Sequence, residues 1–183
     1  MAHDNQRAFC EKVKEIVINN QTSLADYFKR KKVLDVGSLD INGNNRYLFE
    51  NCSYVGVDLY NGKNVDIVTP VHNLATEESK EKYDTIISTE AFEHDKYLEL
   101  TLKAIVHMLK PNGLFLFTCA TEGRREHGTK NRSLKNSPGT PDYYKNVTEV
   151  DIRTILDIDN MFSSYEFEVN NDTHDLYFWG VKR

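Results

Sequence analysis

The sequence predicts an α/β fold, a doubly wound and mostly parallel sheet with helices on both faces. Two observations carry this. Short apolar runs ended by an acid or a glycine recur, as in Lys32-Val33-Leu34-Asp35-Val36-Gly37 and Ser53-Tyr54-Val55-Gly56-Val57-Asp58, and that is the format of buried parallel strands feeding turns. Between them lie stretches with apolar residues at helical spacing, so strand and helix alternate along the chain.

The elements follow in order. Phe9, Val13, Ile16 and Val17 at helical spacing, with a second amphipathic piece around Leu24, Tyr27 and Phe28, predict a leading helix over residues 8–28. After the two runs quoted above, residues 64–68 read as a third strand and Tyr83-Asp84-Thr85-Ile86-Ile87-Ser88 as a fourth, with helical stretches at 46–50 and 96–109. Lys110-Pro111-Asn112-Gly113 has turn chemistry and precedes the strand Leu114-Phe115-Leu116-Phe117-Thr118. Residues 121–144 have no clean period and carry Gly123, Gly128, Pro138, Gly139 and Pro141, a loop long enough to imply function or disorder. Thr148 is placed to cap a helix with Asp151 in its first turn, running through Ile155 and Ile158. Alternating segments at 165–169 and 176–181, joined by Asn170-Asn171-Asp172-Thr173, predict a closing β-hairpin.

At 183 residues the chain has room for a single domain, 1–183, and none for a second catalytic one. It divides into a leading helix (1–30), a half of alternating strands and helices (31–120), a long loop (121–147) and a final helix with the hairpin (148–183). With 39% apolar and 28% charged residues it is too apolar for a disordered chain. The longest apolar run, 113–120, is far short of the roughly 20 residues a membrane-spanning helix needs, and the start of the chain does not read as a secretory signal. Three cysteines without a C-x-x-C spacing point to reduced thiols and no cysteine zinc site. A cytoplasmic protein is the expectation. The formal charge of -5 argues against a surface that tracks nucleic acid or anionic lipid.

In a doubly wound sheet, ligands bind at the carboxyl ends of the strands. The loop from Asp35 through Gly37 to Gly43 lets backbone approach a ligand, and Asp58 lies 21 residues beyond Gly37, where an acid can accept both hydroxyls of a ribose. The loop lacks G-x-G-x-x-G and so is not built for a pyrophosphate. That makes a nicotinamide-dependent oxidoreductase the weaker reading.

Val33-Leu34-Asp35-Val36-Gly37-Ser38, Tyr54-Val55-Gly56-Val57-Asp58, the segment from Tyr83 through Glu93-His94, and Leu109-Lys110-Pro111-Asn112-Gly113-Leu114 together resemble class I S-adenosylmethionine-dependent methyltransferases, especially the type 11 group, over about residues 30–155. The resemblance implies a Rossmann-like sheet of seven strands in the order 3-2-1-4-5-7-6, one antiparallel strand being supplied by the hairpin. It places the methionine end of S-adenosylmethionine against Asp35, Gly37, Ser38 and Leu39, the ribose on Asp58, and the adenine beside Leu59 and Val71. Ser88 and Glu90 would lie near the methionine amine and the methyl group, and S-adenosylhomocysteine would be the product. Two departures from the family pattern stand out. E/D-x-G-x-G-x-G reads here as Asp35-x-Gly37-x-Leu39, and Pro70 replaces the acid that many relatives set against the adenine, which leaves that recognition to backbone amides.

Methyl transfer asks mainly for an acceptor lone pair held in line with the methyl carbon, and a hydroxyl acceptor also benefits from a base. His127, between Gly123 and Gly128 and next to Glu126, is one candidate; His94, at the exit of the fourth strand, is another, with a structural hydrogen-bonding role equally open. Gly123-Arg124-Arg125-Glu126-His127-Gly128-Thr129 and Asp142-Tyr143-Tyr144-Lys145-Asn146-Val147-Thr148 resemble segments carried by some relatives, which puts Arg124, Arg125, Tyr143 and Tyr144 on the substrate side. Five cations between Arg124 and Lys135 suit a small or glycan-like acceptor with an anionic group. The expectation is transfer to oxygen, without a metal, nucleic acid or membrane partner, and with the oligomeric state open. The alternative from another class is a catalytically silent nucleoside-binding scaffold.

Overall fold

The computed structural model describes residues 4–183. Seven strands form one sheet: β1 (Lys32–Val36), β2 (Ser53–Asp58), β3 (Ile67–Val68), β4 (Tyr83–Thr89), β5 (Leu109–Ala120), β6 (Phe162–Asn170) and β7 (Asp175–Lys182). Their order is 3-2-1-4-5-7-6. The pairs β1–β2, β1–β4, β2–β3 and β4–β5 are parallel, while β7 runs antiparallel to both β5 and β6. This is the expected order, and the closing hairpin supplies the antiparallel strand.

Period-two alternation sends successive side chains to opposite faces, and each face has its own core. Leu34, Ile86, Phe115, Phe117 and Phe178 pack beneath α2 (Leu98–Met108), which contributes Leu102, Ile105 and Met108. Val33, Ile87, Leu114, Leu116, Tyr177 and Trp179 pack on the other face against Phe9 and Val13 of α1 (Asp4–Lys14) and Leu24 and Phe28. Phe9 stacks on Tyr177 at 4.7 Å between ring centroids. At α3 (Glu149–Ile155) Thr148 and Asp151 form the reciprocal cap that the sequence announced, and α4 (Ile158–Met161) follows as a separate short turn.

Four elements differ from expectation. The leading helix stops at Lys14, because Asn19 and Asn20 take positive φ and turn Val17–Ile18 back onto Thr22–Ser23 as a small ladder before a 3-10 helix at Leu24–Phe28. The helical stretch at 46–50 is one 3-10 turn, Arg46–Leu48. The third strand shrinks to Ile67–Val68, since Asn64 is in a left-handed conformation and gives its side chain to Asp35 and the Ser38 carbonyl. The turn at Lys110-Pro111-Asn112-Gly113 is absorbed into β5 as a bulge, with Leu109 opposite Tyr83 and Leu114 opposite Thr85. Among the described residues, no helix is long and apolar enough to cross a membrane. Cys10, Cys52 and Cys119 are free thiols.

Candidate active site

The chain leaves β1 toward β2 on one side and reaches β4 on the other, so a crevice opens where the carboxyl ends of β1 and β4 part. A pocket occupies it. Its floor is Asp35, Gly37, Ser38 and Leu39 from the β1 loop, one wall is Asp58, Leu59 and Val71, and the other is Glu90, Ala91 and His94. Asn136 to Thr140 of the long loop form the remaining side. A Cβ on Gly139 would lie 3.2 Å from that of Leu59 and 3.3 Å from that of Tyr60, tighter than ordinary contact, so this loop roofs the pocket with a bare backbone set close over the residues that follow β2.

Glycine at 37 has two causes. Its φ is +75°, and a Cβ there would collide with that of Ala91, so the loops after β1 and β4 can close on one another only around a bare backbone. On the other side of the crevice Glu90 also takes a left-handed φ, +54°, which for a residue with a side chain is strain held by its surroundings. Its amide donates to the Thr118 carbonyl at 2.8 Å, and its Oε1 accepts from the Thr118 hydroxyl at 2.9 Å.

Asp58 is fixed by backbone: its Oδ2 accepts from Leu39 N–H at 3.1 Å and its Oδ1 from Tyr60 N–H at 2.9 Å. Burial raises its pKa despite these bonds. Asp35, fully buried, accepts from Tyr54 Oη, Asn45 Nδ2 and Asn64 Nδ2, yet burial still pushes it up to about 6. The native state therefore holds this proton up to about pH 6, whereas the unfolded chain releases it near 3.8. Its contribution to stability is complete below the unfolded value and is lost as pH rises through the folded one. Ionising Asp35 is expected to cost about 2 kcal/mol between pH 4 and pH 6.5. Urea unfolding of wild type and Asp35→Asn at both pH values checks it; equal pH slopes would show that the carboxyl is already ionised in the native state.

Beside the pocket Glu93, His94 and His127 converge, with ligand-type atoms all within 4.8 Å of one another. The His94 and His127 rings are edge to face at 5.0 Å, and Tyr144 packs on both, at 5.5 and 5.0 Å. His127 Nδ1 lies 3.1 Å from the Arg125 carbonyl, so that nitrogen carries the proton and Nε2 is left as a lone pair facing Glu93 Oε1 at 3.8 Å. Burial pushes His94 down to about 3 and also lowers His127, so both rings are neutral, and burial raises Glu93. Gly128, at φ +70°, carries the loop against this cluster; a Cβ there would be 2.6 Å from His94 Cε1.

Of the residues singled out in the sequence, Asp35, Gly37, Ser38, Leu39, Asp58, Leu59, Val71, Glu90 and His94 line the pocket. Ser88 does not: its Oγ donates to the Val36 carbonyl at 2.8 Å and zips β4 to β1 beneath the floor. His127 and Tyr144 lie behind His94 rather than in the pocket. Glu126 is exposed and accepts from the Thr129 hydroxyl, and Arg125 is exposed and offers its carbonyl to His127. Tyr143 is half-buried, with its amide on the Thr140 carbonyl. Arg124 turns inward to the Thr173 carbonyl at 2.6 Å and the buried Asp175 at 3.1 Å, and Lys130 pairs with Asp142 at 2.7 Å. The expected basic mouth is thus dispersed. Among the described residues, the pocket is lined by the acids Asp35, Asp58, Glu90 and Asp95 and by no lysine or arginine.

The profile of a family described as "Methyltransferase domain" matches residues 1–174. The chain belongs to this methyltransferase family. No curated protein matches the methyltransferase in sequence. Among solved structures it is similar to a Burkholderia thailandensis 1,6-didemethyltoxoflavin-N1-methyltransferase with bound 1,6-didemethyltoxoflavin and S-adenosylhomocysteine, at TM-score 0.63 and 16% identity over 98% of this chain and 78% of that one. It is also similar to a SAM-dependent methyltransferase from Archaeoglobus fulgidus, at TM-score 0.60 and 15% identity over 97% and 94%. A third is the Haemonchus contortus phosphoethanolamine N-methyltransferase 2 in complex with S-adenosyl-L-methionine, at TM-score 0.63 and 17% identity; it is aligned over 98% of this chain, which spans only 52% of that one. At these identities the likeness is one of fold.

The sequence reading of this methyltransferase passed over Glu93 and Tyr144's role beside it. The available signal was Glu93-His94 at the exit of a strand; the partner that gives the pair meaning, His127, is brought in only by the loop after β5.

Proposed function

We propose that the protein transfers the methyl group of S-adenosylmethionine to a hydroxyl oxygen of a small or glycan-like acceptor. The carrying observation is the charge of the pocket: among the described residues, four carboxyl groups and no arginine or lysine line it. Such a wall favours a ligand with ammonium and sulfonium charges and disfavours the pyrophosphate of a dinucleotide. The residues present fit the nucleoside. Ser38 Oγ and His72 Nδ1 belong to lining residues and are buried without a hydrogen-bond partner among the described residues, each able to meet a polar ligand group. When bound, S-adenosylmethionine supplies an already activated methyl group.

The chain's own work is then to bind and to orient. Asp58, already aligned by two amides, accepts ribose hydroxyls; Asp35 faces the cationic methionine end; Leu59 and Val71 flank the base; and residues 136–140 exclude water. His94 is the member of the polar cluster that meets the pocket, and the proton of an acceptor hydroxyl is released toward Glu93, His94 and His127. Two neutral imidazoles beside a buried carboxyl are what favours oxygen. Lys135, next to the roof, and the exposed Arg125 and Arg132 are the cations left for an anionic group on the acceptor. A soluble, cytoplasmic setting fits the three free thiols.

Thermal shift tests the reading. S-adenosylmethionine or S-adenosylhomocysteine at about 100 times its Kd stabilises by about 2.7 kcal/mol, which raises Tm by roughly 5–10 °C for a domain of this size, and NAD leaves it unchanged. No shift with either nucleoside at millimolar concentration overturns the proposal. Binding without any methylated product from labelled cofactor and host extract would identify a scaffold instead.

A further inference from the structure

We propose that Glu93, His94 and His127 bind one divalent transition-metal cation at the wall of the pocket. The three side chains are almost wholly buried, at 0%, 5% and 9% exposure. Among the described residues, Nδ1 of His94, Nε2 of His127 and the hydroxyl of Tyr144 find no hydrogen-bond partner, and the buried Glu93 carboxylate faces them. Three such buried polar atoms at one point are costly, since each forfeits its hydration. A hydrogen-bonded network would have drawn them to about 3 Å. Instead His127 Nε2 and Glu93 Oε1 face each other at 3.8 Å, a spacing that suits two donors sharing an ion. Ligand atoms at about 2.1 Å from a zinc-sized cation lie roughly 3.0–3.5 Å apart, so the His127–Glu93 pair is nearly in place and the outer limit of the set, 4.8 Å, must contract on binding.

The outer contacts favour the same conclusion. Nδ1–H of His127 is given to the Arg125 carbonyl, which fixes the tautomer and aims the Nε2 lone pair inward. A backbone-oriented imidazole of this kind is the usual support of a metal site. Two imidazoles and one carboxylate are borderline donors that suit Zn²⁺, Mn²⁺, Fe²⁺ or Co²⁺ better than Ca²⁺ or Mg²⁺.

Three protein ligands leave a coordination position open. His94 lines the pocket, so that position faces the acceptor side. Cation binding stands independently of the proposed activity, because a bound cation takes up the lone pairs that the metal-free cluster offers to an acceptor proton.

The test uses the full, tag-free chain after chelator treatment and dialysis. Co²⁺ is titrated by its ligand-field absorption and Zn²⁺ by competition. Wild type is expected to take up one Co²⁺ per chain, displaced by Zn²⁺. Glu93→Gln and His127→Ala should each weaken uptake by about 100-fold or more, and His107→Ala, whose ring bonds the Thr76 carbonyl away from the cluster, should leave it unchanged. No uptake by wild type at millimolar Co²⁺, or equal uptake in both cluster variants, overturns the proposal. If a variant fails to fold by circular dichroism, the wild-type and His107→Ala titrations decide. No nucleoside enters the assay, so its failure is distinct from failure of the methyltransferase reading.

Discussion

Asp58→Ala is expected to weaken S-adenosylmethionine binding by about 100-fold or more. Two charge-assisted hydrogen bonds to a ribose contribute at least about 1.5 kcal/mol each, and about 3 kcal/mol is more than a factor of 100 in Kd. The substitution also releases Leu39 N–H and Tyr60 N–H from the carboxylate. Both belong to loops at the open end of the sheet, so the core beneath stays intact and the melting temperature of the free protein should move little. Asp58→Asn separates the two effects, since it keeps one acceptor oxygen and removes the charge. Calorimetric titration of the three proteins checks this, and an unchanged Kd in the alanine variant would remove Asp58 from the ribose.

His127→Ala is expected to lower kcat by about 100-fold or more while cofactor Kd stays within about threefold. His127 does not line the pocket, so it acts as a positioning residue: it holds Glu93 and packs edge-on against His94, which does line the pocket. A merely structural role would move Kd and kcat together or lower Tm without a selective effect on kcat. Single-turnover kinetics with saturating cofactor reads the difference. An unchanged kcat would retire the cluster from the reaction and leave the fold and the nucleoside pocket standing.

The sheet was largely readable in the sequence because buried parallel strands have little freedom in composition. Val33-Leu34-Asp35-Val36 and Thr85-Ile86-Ile87-Ser88 are apolar on both faces because both faces are covered, and they end where the pocket begins. The connections were less readable. Ile16 and Val17 continue a helical spacing, but Asn19 and Asn20 reverse the chain, and turn chemistry overrides periodicity there. At Asn64 a side chain serves Asp35 instead of extending a strand.

The strand-end half of the pocket lining was also legible, since glycine and acid at strand ends follow from sheet geometry. The polar cluster was not. His94 and His127 stand 33 positions apart, and nothing local states that the strand between them returns His127 to the first ring. Charge along the loop misled for the same reason, because Arg124 and Lys130 lie close in sequence to Arg125 and Arg132 but spend their charge on Asp175 and Asp142.

The roof over the pocket and the cluster beside it belong to one stretch of chain. Residues 136–140 touch Leu59 and Tyr60, and a few positions later Tyr144 packs on His94 and His127. The wall that faces Leu59 and the ring that packs on His94 and His127 are therefore tied through a few residues of backbone, so a change in one is felt at the other.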